Sequence, residues 1–306
     1  MPSWLFGYFS RLRRCYLTRK YQRNKPLLTT KIVVIGNISV GGNGKTPFLI
    51  ALAKALMARG KRVGVVSRGV GSTVSQYPAL CAADSDALVY GDEPVMIAKQ
   101  TGCLVMIDPN RNRAIQALLT HSQLDLILSD DGLQHYAMAR DFEIAVVGSL
   151  DALGNQCLLP AGPLREPISR LTEVDLVVGD PAFALVQYPL DVKVMGFYDL
   201  NTDEPVLLQH IQQQNKPIVA VSGIALPERF HRLLTTLNII ATSYEFSDHH
   251  QFKAEDFIQF SQQVILMTEK DAIKCRHMKL KNAYYLRICI DFPDEIVLKI
   301  IDVLGS

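Results

Sequence analysis

Residues 36–46 read GNISVGGNGKT, and this stretch constrains the chain more than any other. An apolar run, KIVVI at 31–35, comes before it, and a Thr-Pro step leading into an apolar segment comes after it. Gly41, Gly42 and Gly44 let backbone N–H groups curl around an anion, and a helix starting behind them turns its positive end to the same point. Lys45 and Thr46 complete a near match to GxxxxGK[ST], with Ser39 where the first glycine normally stands. The motif assigns Ser39, Val40, Gly41, Gly42, Asn43, Gly44, Lys45 and Thr46 to nucleotide phosphates. Lys45 would reach the β- and γ-phosphates of ATP, and the Thr46 hydroxyl would meet Mg2+. A coincidental Gly-rich turn is the plainer alternative, and the strand and helix on either side argue against it.

Such a loop needs a parallel sheet around it, and the sequence supplies the alternation. Apolar runs at 32–35, 63–67, 104–107, 124–129, 142–147 and 175–178 read as strands, and helical segments run from Pro47 to Gly60, from Asp92 to Gly102 and over 111–120. Near-continuous apolar strands imply a sheet covered on both faces. Composition changes at Asp180-Pro181. Residues 190–209 read as a hairpin, and a second alternation runs from Lys216 to a final helix at 293–304. The expected class is α/β: a P-loop NTPase-like, mostly parallel sheet domain, a smaller C-terminal α/β domain, a two-stranded linker and an N-terminal amphipathic helix. The boundaries expected are 1–30 for that helix, 31–183 for the P-loop domain, 184–215 for the linker and 216–306 for the smaller domain.

Charge is distributed unevenly. No Asp or Glu precedes Asp84, so residues 1–83 carry 14 Lys and Arg and a charge of +14, while the remainder nets −12. One end of the chain therefore meets something anionic. Residues 4–23 read as a helix with Trp4, Tyr8, Leu12 and Tyr16 at four-residue spacing, Leu5 and Phe9 alongside, and Arg13, Arg14 and Lys20 largely opposite. Aromatics with basic residues and no acids suit an interfacial helix on an anionic bilayer; a helix packed on the core is the alternative. A nucleic-acid binder is disfavoured: no binding module is recognisable, and Lys45, Lys54, Arg59, Lys61, Arg62 and Arg68 cluster around the phosphate loop. The six cysteines are widely spaced, which excludes a CxxC zinc or redox pair and fits reduced thiols. No apolar run reaches the ~18–20 residues of a membrane span. The N-terminal order, apolar before basic, is the reverse of a secretory signal, so a cytoplasmic body is expected.

A P-loop needs an acidic arm. LDLILSDD at 124–131 is a mostly apolar strand ending in Asp130 and Asp131, where ligands bind in open α/β sheets. One of these carboxylates is expected on Mg2+, directly or through water. Other polar segments exceed what a bland fold needs: GDEP at 91–94, DDGLQH at 130–135, LPAGPLREP at 159–167 and DHHQF at 248–252. Asp92 alone could be a helix cap. Residues 268–271, TEKD, leave a substrate contact and a strand-exit salt-bridge cluster equally open.

Together these segments resemble the tetraacyldisaccharide 4'-kinases, the lipid A 4'-kinases of Gram-negative bacteria. GNISVGGNGKTP, SRG at 67–69, GDEP, DDGLQH followed by RDFEI at 140–144, LPAGPLREP, DHHQF and TEKDAIK at 268–274 run in that family's order. The resemblance implies transfer of the ATP γ-phosphoryl group to the 4'-hydroxyl of an acylated glucosamine disaccharide 1-phosphate at the cytoplasmic face of the inner membrane. It implies Asp92 as the base, assisted by His249. Arg165 would be a second cation beside Lys45, and Glu166 could help hold the metal. The rival class is a P-loop switch or metal-delivery ATPase or GTPase without an acceptor. Its usual NKxD base-reading motif is absent here, TEKD being a loose echo.

Overall fold

Strands that are apolar on both faces need cover on both sides, and the chain provides it by alternating strand and helix. The computed structural model describes residues 3–23, 29–148 and 151–305. The expected 1–30 segment is thus described only in part, and the side chain of Trp4 lies outside the described residues. In chain order the first elements are α1 (Ser3–Arg23), β1 (Lys31–Gly36), α2 (Lys45–Ala58), β2 (Val63–Ser67), β3 (Ala79–Cys81), α3 (Ala87–Tyr90) and α4 (Asp92–Thr101). They are followed by β4 (Leu104–Ile107), α5 (Arg111–His121), β5 (Leu126–Ser129), β6 (Phe142–Val147), β7 (Leu176–Gly179) and β8 (Tyr188–Pro189). Next come β9 (Asp191–Asp199), β10 (Pro205–Val206), α6 (Leu208–Gln213), β11 (Ile218–Ser222), α7 (Pro227–Thr236) and β12 (Thr242–Glu245). The chain ends with α8 (Ala254–Phe257), β13 (Val264–Thr268), α9 (Glu269–Cys275), β14 (Ala283–Asp291) and α10 (Glu295–Gly305).

Two sheets result. The first runs β3-β4-β2-β5-β1-β6-β7-β8 and is parallel apart from the edge strand β3. β1 lies between β5 and β6, with Ile32 opposite Ile127 and Val33 opposite Phe142. Strand periodicity sends Val33 and Ile35 to one core, against Phe48, Leu49 and Leu52 of α2. Ile32 and Val34 face the other core, with Leu118 and Leu133. Because β1 and β5 are parallel neighbours, the glycine loop after one and the Asp130-Asp131 pair after the other leave the same edge of the sheet.

The second sheet runs β10-β9-β14-β13-β11-β12. Two expectations are corrected here. The local hairpin read at 190–209 is short: β9 and β10 pair only at Tyr198–Pro205 and Phe197–Val206. The long partner of β9 is β14, antiparallel from Asp191 opposite Asp291 to Asp199 opposite Tyr284. Two strands about ninety residues apart thus make the ribbon beside the first sheet, a non-local pairing that strand periodicity does not reveal. The final helix also leaves the expected 216–306 unit. β14 carries the chain back, and Ile296, Val297 and Ile300 of α10 are fully buried in the first core with α2.

Candidate active site

The phosphate loop has the shape its glycines allow. Gly41 and Gly44 adopt φ of +100° and +79°, and Gly44 stands directly before α2. Ser39 and Asn43 are buried and bond to each other, Asn43 Nδ2 donating to Ser39 Oγ at 3.0 Å. The segment 159–167 braces the loop from outside: Val40 N donates to Pro163 O at 2.9 Å and Arg165 N donates to Ile38 O at 2.7 Å. Gly41, Gly42, Asn43, Gly44, Lys45 and Thr46 line a cleft of about 590 Å³. Ser39 and Val40, expected among the phosphate ligands, do not line it; Ser39 shapes the loop through Asn43.

Lys45 Nζ lies 3.2 Å from Asp131 Oδ1, and Arg165 Nη1 lies 3.0 Å from Asp131 Oδ2. Asp131 has a left-handed backbone, φ +46°, an uncommon state for a side-chain-bearing residue. Burial alone would raise its pKa, but Lys45 and Arg165 more than offset that and hold it below the usual carboxylate range. Asp130 has the opposite balance. It is fully buried, and desolvation with Glu93 and Asp131 nearby pushes it up to about 7. Its Oδ1 has no hydrogen-bond partner. Arg111, which no sequence motif singles out, is buried beside it and donates Nη2 to the Asp130 carbonyl at 2.9 Å.

Glu166, expected at a metal, is held by hydrogen bonds at the base of the 159–167 segment. It is 3% exposed and does not line the cleft. Its carboxylate accepts from Gln134 Nε2 at 2.9 Å and from the Tyr136 hydroxyl. Gln134 Nε2 also donates to Asn37 O at 2.9 Å, so Glu166 ties the 159–167 segment to the foot of the glycine loop.

A second group forms where α4 of the first sheet meets the loop and helix of the second sheet that carry His249 and Lys270. Asp92 begins α4 after Gly91, whose φ is +91°. It is 5% exposed, and its Oδ1 accepts from Glu93 N at 3.0 Å. His249 Nδ1 stands 3.5 Å from Asp92 Oδ2, an ion-pair contact too long for a formed hydrogen bond, and that oxygen has no hydrogen-bond partner. His249 too has a left-handed backbone, φ +59°. Burial would raise Asp92, but His249, Lys270 and Lys274 hold it below the ordinary carboxylate range. The same Asp92 carboxylate raises His249, against burial and the Lys270 charge. His250 faces elsewhere, bonded to Asp256 Oδ2 at 3.0 Å and packed between Phe246 and Phe252. Of the TEKD segment, Thr268 caps α9, Asp271 pairs with Lys274 at 2.7 Å inside the fold, and Lys270 reaches the cleft. The sequence signal for Lys270 is its position two residues past a strand end, which does not separate a cleft contact from a structural cluster.

Glu93, His249, Lys270, Asp131, Arg165 and the glycine loop therefore share one cavity, closed on the far side by Ile224, Leu226, Arg229 and Phe230. Arg229 Nη1 donates to Gly42 O at 3.0 Å, so the second sheet's helices touch the loop directly. A second cavity of about 520 Å³ lies between α1 and residues 158–173, and Arg165 lines both. Tyr8, Phe9, Leu12 and Tyr16 of α1 point away from it and are 49–64% exposed. Arg14 faces in, paired with Glu173 and lying over the Tyr136 ring.

Residues able to hold a divalent ion are few. Among the described residues no cluster of three or more His, Cys, Asp or Glu is placed to ligate one. An orphaned Asp130 oxygen beside the loop fits an ion completed by nucleotide phosphates, the arrangement Mg2+ favours.

A strand–glycine loop–helix unit with an acidic arm on the neighbouring strand, and a histidine in the same cleft backed by a buried carboxylate, defines a P-loop phosphotransferase. A family model described as LpxK, tetraacyldisaccharide-1-P 4'-kinase, matches residues 1–304. The chain belongs to that family. It is 41% identical over 286 residues to the tetraacyldisaccharide 4'-kinase of Legionella pneumophila strain Lens, covering 94% of this chain and 86% of that one. It is 43% identical over 298 residues to the tetraacyldisaccharide 4'-kinase of Pasteurella multocida, covering 96% and 90%. A crystal structure of "apo" form LpxK from Aquifex aeolicus in complex with ATP matches with a TM-score of 0.79 at 25% identity, covering 99% of this chain and 97% of that one.

Proposed function

We propose that the protein moves the γ-phosphoryl group of ATP to the 4'-hydroxyl of a tetraacylated glucosamine disaccharide 1-phosphate, with Asp92 as base. The observation that carries this is one cleft lined by Lys45 of the glycine loop and by His249, with the Asp92 carboxylate buried 3.5 Å behind the imidazole. Asp92 takes the hydroxyl proton as the sugar oxygen bonds to the γ-phosphorus and the bond to the ADP oxygen breaks. A carboxylate held ionised by neighbouring cations is ready to accept that proton, and His249 orients it and shares the charge. Lys45 and Arg165 stabilise the charge spread over the transferring group, effects worth a few kcal/mol each in such sites, about 3 for one well-placed donor. Mg2+, held by Thr46 with Asp130 and Asp131, would supply charge neutralisation at the β- and γ-oxygens.

The acceptor is carried in a bilayer, and α1 supports an interfacial position for the enzyme. Its exposed face is Tyr8, Phe9, Leu12 and Tyr16, flanked by exposed Arg11, Arg13 and Arg19. No helix among the described residues is long and apolar enough to cross a membrane. The cavity under α1 gives a lipid-borne sugar a route to Arg165.

The test separates chemistry from nucleotide binding. Asp92→Ala should lose at least about 100-fold in kcat while ATP still binds, the usual scale for removing a general base. Lys45→Ala should weaken ATP binding itself. A near-normal rate for Asp92→Ala removes Asp92 from the reaction.

A further inference from the structure

β13 ends at Thr268, whose hydroxyl accepts from Asp271 N and so directs the first turn of α9 toward α4. Lys270 lies in that turn with its side chain 19% exposed. Its Nζ is 3.0 Å from Glu93 Oε1, 3.7 Å from Asp92 Oδ2 and 3.5 Å from His249 Nε2. An ammonium can only donate, so the imidazole nitrogen facing it accepts. In a neutral imidazole the proton then sits on Nδ1, the nitrogen that faces Asp92. Asp248 Oδ2 competes for Nε2 at 3.8 Å, but it is farther away and its side chain is 39% exposed, so water screens it.

We infer that Lys270 is a positioning residue for the phosphoryl transfer: anchored by Glu93, it keeps His249 in the Nδ1–H tautomer, so that the imidazole turns its N–H toward Asp92 and fixes the orientation of that carboxylate during the reaction. The inference rests on the proposed Asp92–His249 pair. Glu93 makes the arrangement specific. Without that anchor the flexible lysine stem would lose rotamer freedom for two long contacts, to Asp92 and His249.

Charge gives a second consequence. The groups facing His249 are Asp92 and Glu93 from α4, Lys270 from α9 and Asp248 on its own loop, with Lys45, Asp131 and Arg165 across the cleft. The carboxylates favour imidazolium and Lys270 opposes it. Protonated His249 makes Asp92 a weaker base. Removing the Lys270 charge therefore moves the acid limb of the rate profile to higher pH.

The experiment is 15N NMR on histidine-labelled full-length protein, with His249 assigned by the signal missing in His249→Gln, run beside kinetics of Lys270→Met and Lys270→Arg. Wild type above the His249 pKa should show the Nδ1–H tautomer, and Lys270→Met should lose it. Lys270→Met should cut kcat about 10- to 100-fold, a misorientation-sized loss, with KM for ATP changed less than about threefold. Its acid limb should rise by about half a unit or more. Lys270→Arg should recover part of kcat. A wild-type Nε2–H tautomer overturns the inference without any variant. So does a Lys270→Met enzyme with unchanged kcat and acid limb when His249→Gln is slow. A fast His249→Gln enzyme removes the parent pair and the inference together.

Discussion

Asp92 and His249 are each shifted by the other, in opposite directions, and this sets the pH range in which they help the fold. Asp92 is held below its ordinary range, so its contribution is present above about pH 4 and is lost as pH falls through the lowered value. His249 is raised, so its contribution is full below about pH 6.5 and is lost as pH rises through the folded value. The joint contribution peaks between these limits. Asp92→Asn should therefore cost more stability at pH 5.5 than at pH 8.5, read from urea midpoints with equal slopes; equal costs at both values contradict the pairing. Asp130 behaves in the opposite way. It is buried, has an orphaned oxygen and sits near two other acids, so its charge works against the fold. Asp130→Asn should raise the stability of metal-free protein at pH 8 by about 1 kcal/mol or more while abolishing Mg2+-dependent turnover. A destabilised Asp130→Asn protein would show that its carboxylate is satisfied in a way the geometry does not include.

α4 and α9 place their first turns, Asp92-Glu93 and Glu269-Lys270, against each other, and a cluster farther along keeps that alignment. Asp203, at the β9–β10 turn with φ +64°, accepts Lys99 of α4 at 2.7 Å, Arg276 at 2.5 Å and the Tyr285 hydroxyl. Arg287 joins it at 3.4 Å and also holds Glu269 at 2.9 Å. Because one carboxylate gathers several cations, Asp203→Ala should lower unfolding stability by about 1–3 kcal/mol, more than an isolated surface pair would. An unchanged denaturant midpoint would mean solvent already screens the cluster. The sequence made the local parts of this architecture readable: the glycine loop between β1 and α2, the acids ending β5, and Asp92 opening α4. It did not make the long-range parts readable. Nothing in the alternation along β9 names β14 as its partner, and the stripe Ile296, Val297, Ile300 marks a buried face without saying which core receives it. Glu166 and Lys270 were ambiguous for the same reason. Adjacent charged residues in a motif look alike until the fold turns Glu166 to Tyr136 and Lys270 to the cleft.

Across the whole molecule, the two sheets meet at the phosphate loop, where Arg229 contacts Gly42, and Arg165 joins the nucleotide cleft to the cavity under α1. α1 turns its aromatic face outward, and the proposed interfacial role would set its exposed Arg11, Arg13 and Arg19 beside anionic headgroups. Deleting residues 1–23 should abolish binding to anionic vesicles, and Tyr8→Ser with Leu12→Ser should weaken it while soluble ATP binding is unchanged. Unchanged vesicle binding by the truncated protein would remove α1 from that role. The most direct measurement of the central claim is transfer of label from γ-labelled ATP to the acylated disaccharide 1-phosphate, with the labelled position resolved on the sugar. The account predicts label on the 4'-oxygen, one ADP formed per phosphate transferred, and negligible ATP turnover without acceptor. Acceptor-independent hydrolysis at the same rate, or label at any other position, would contradict it.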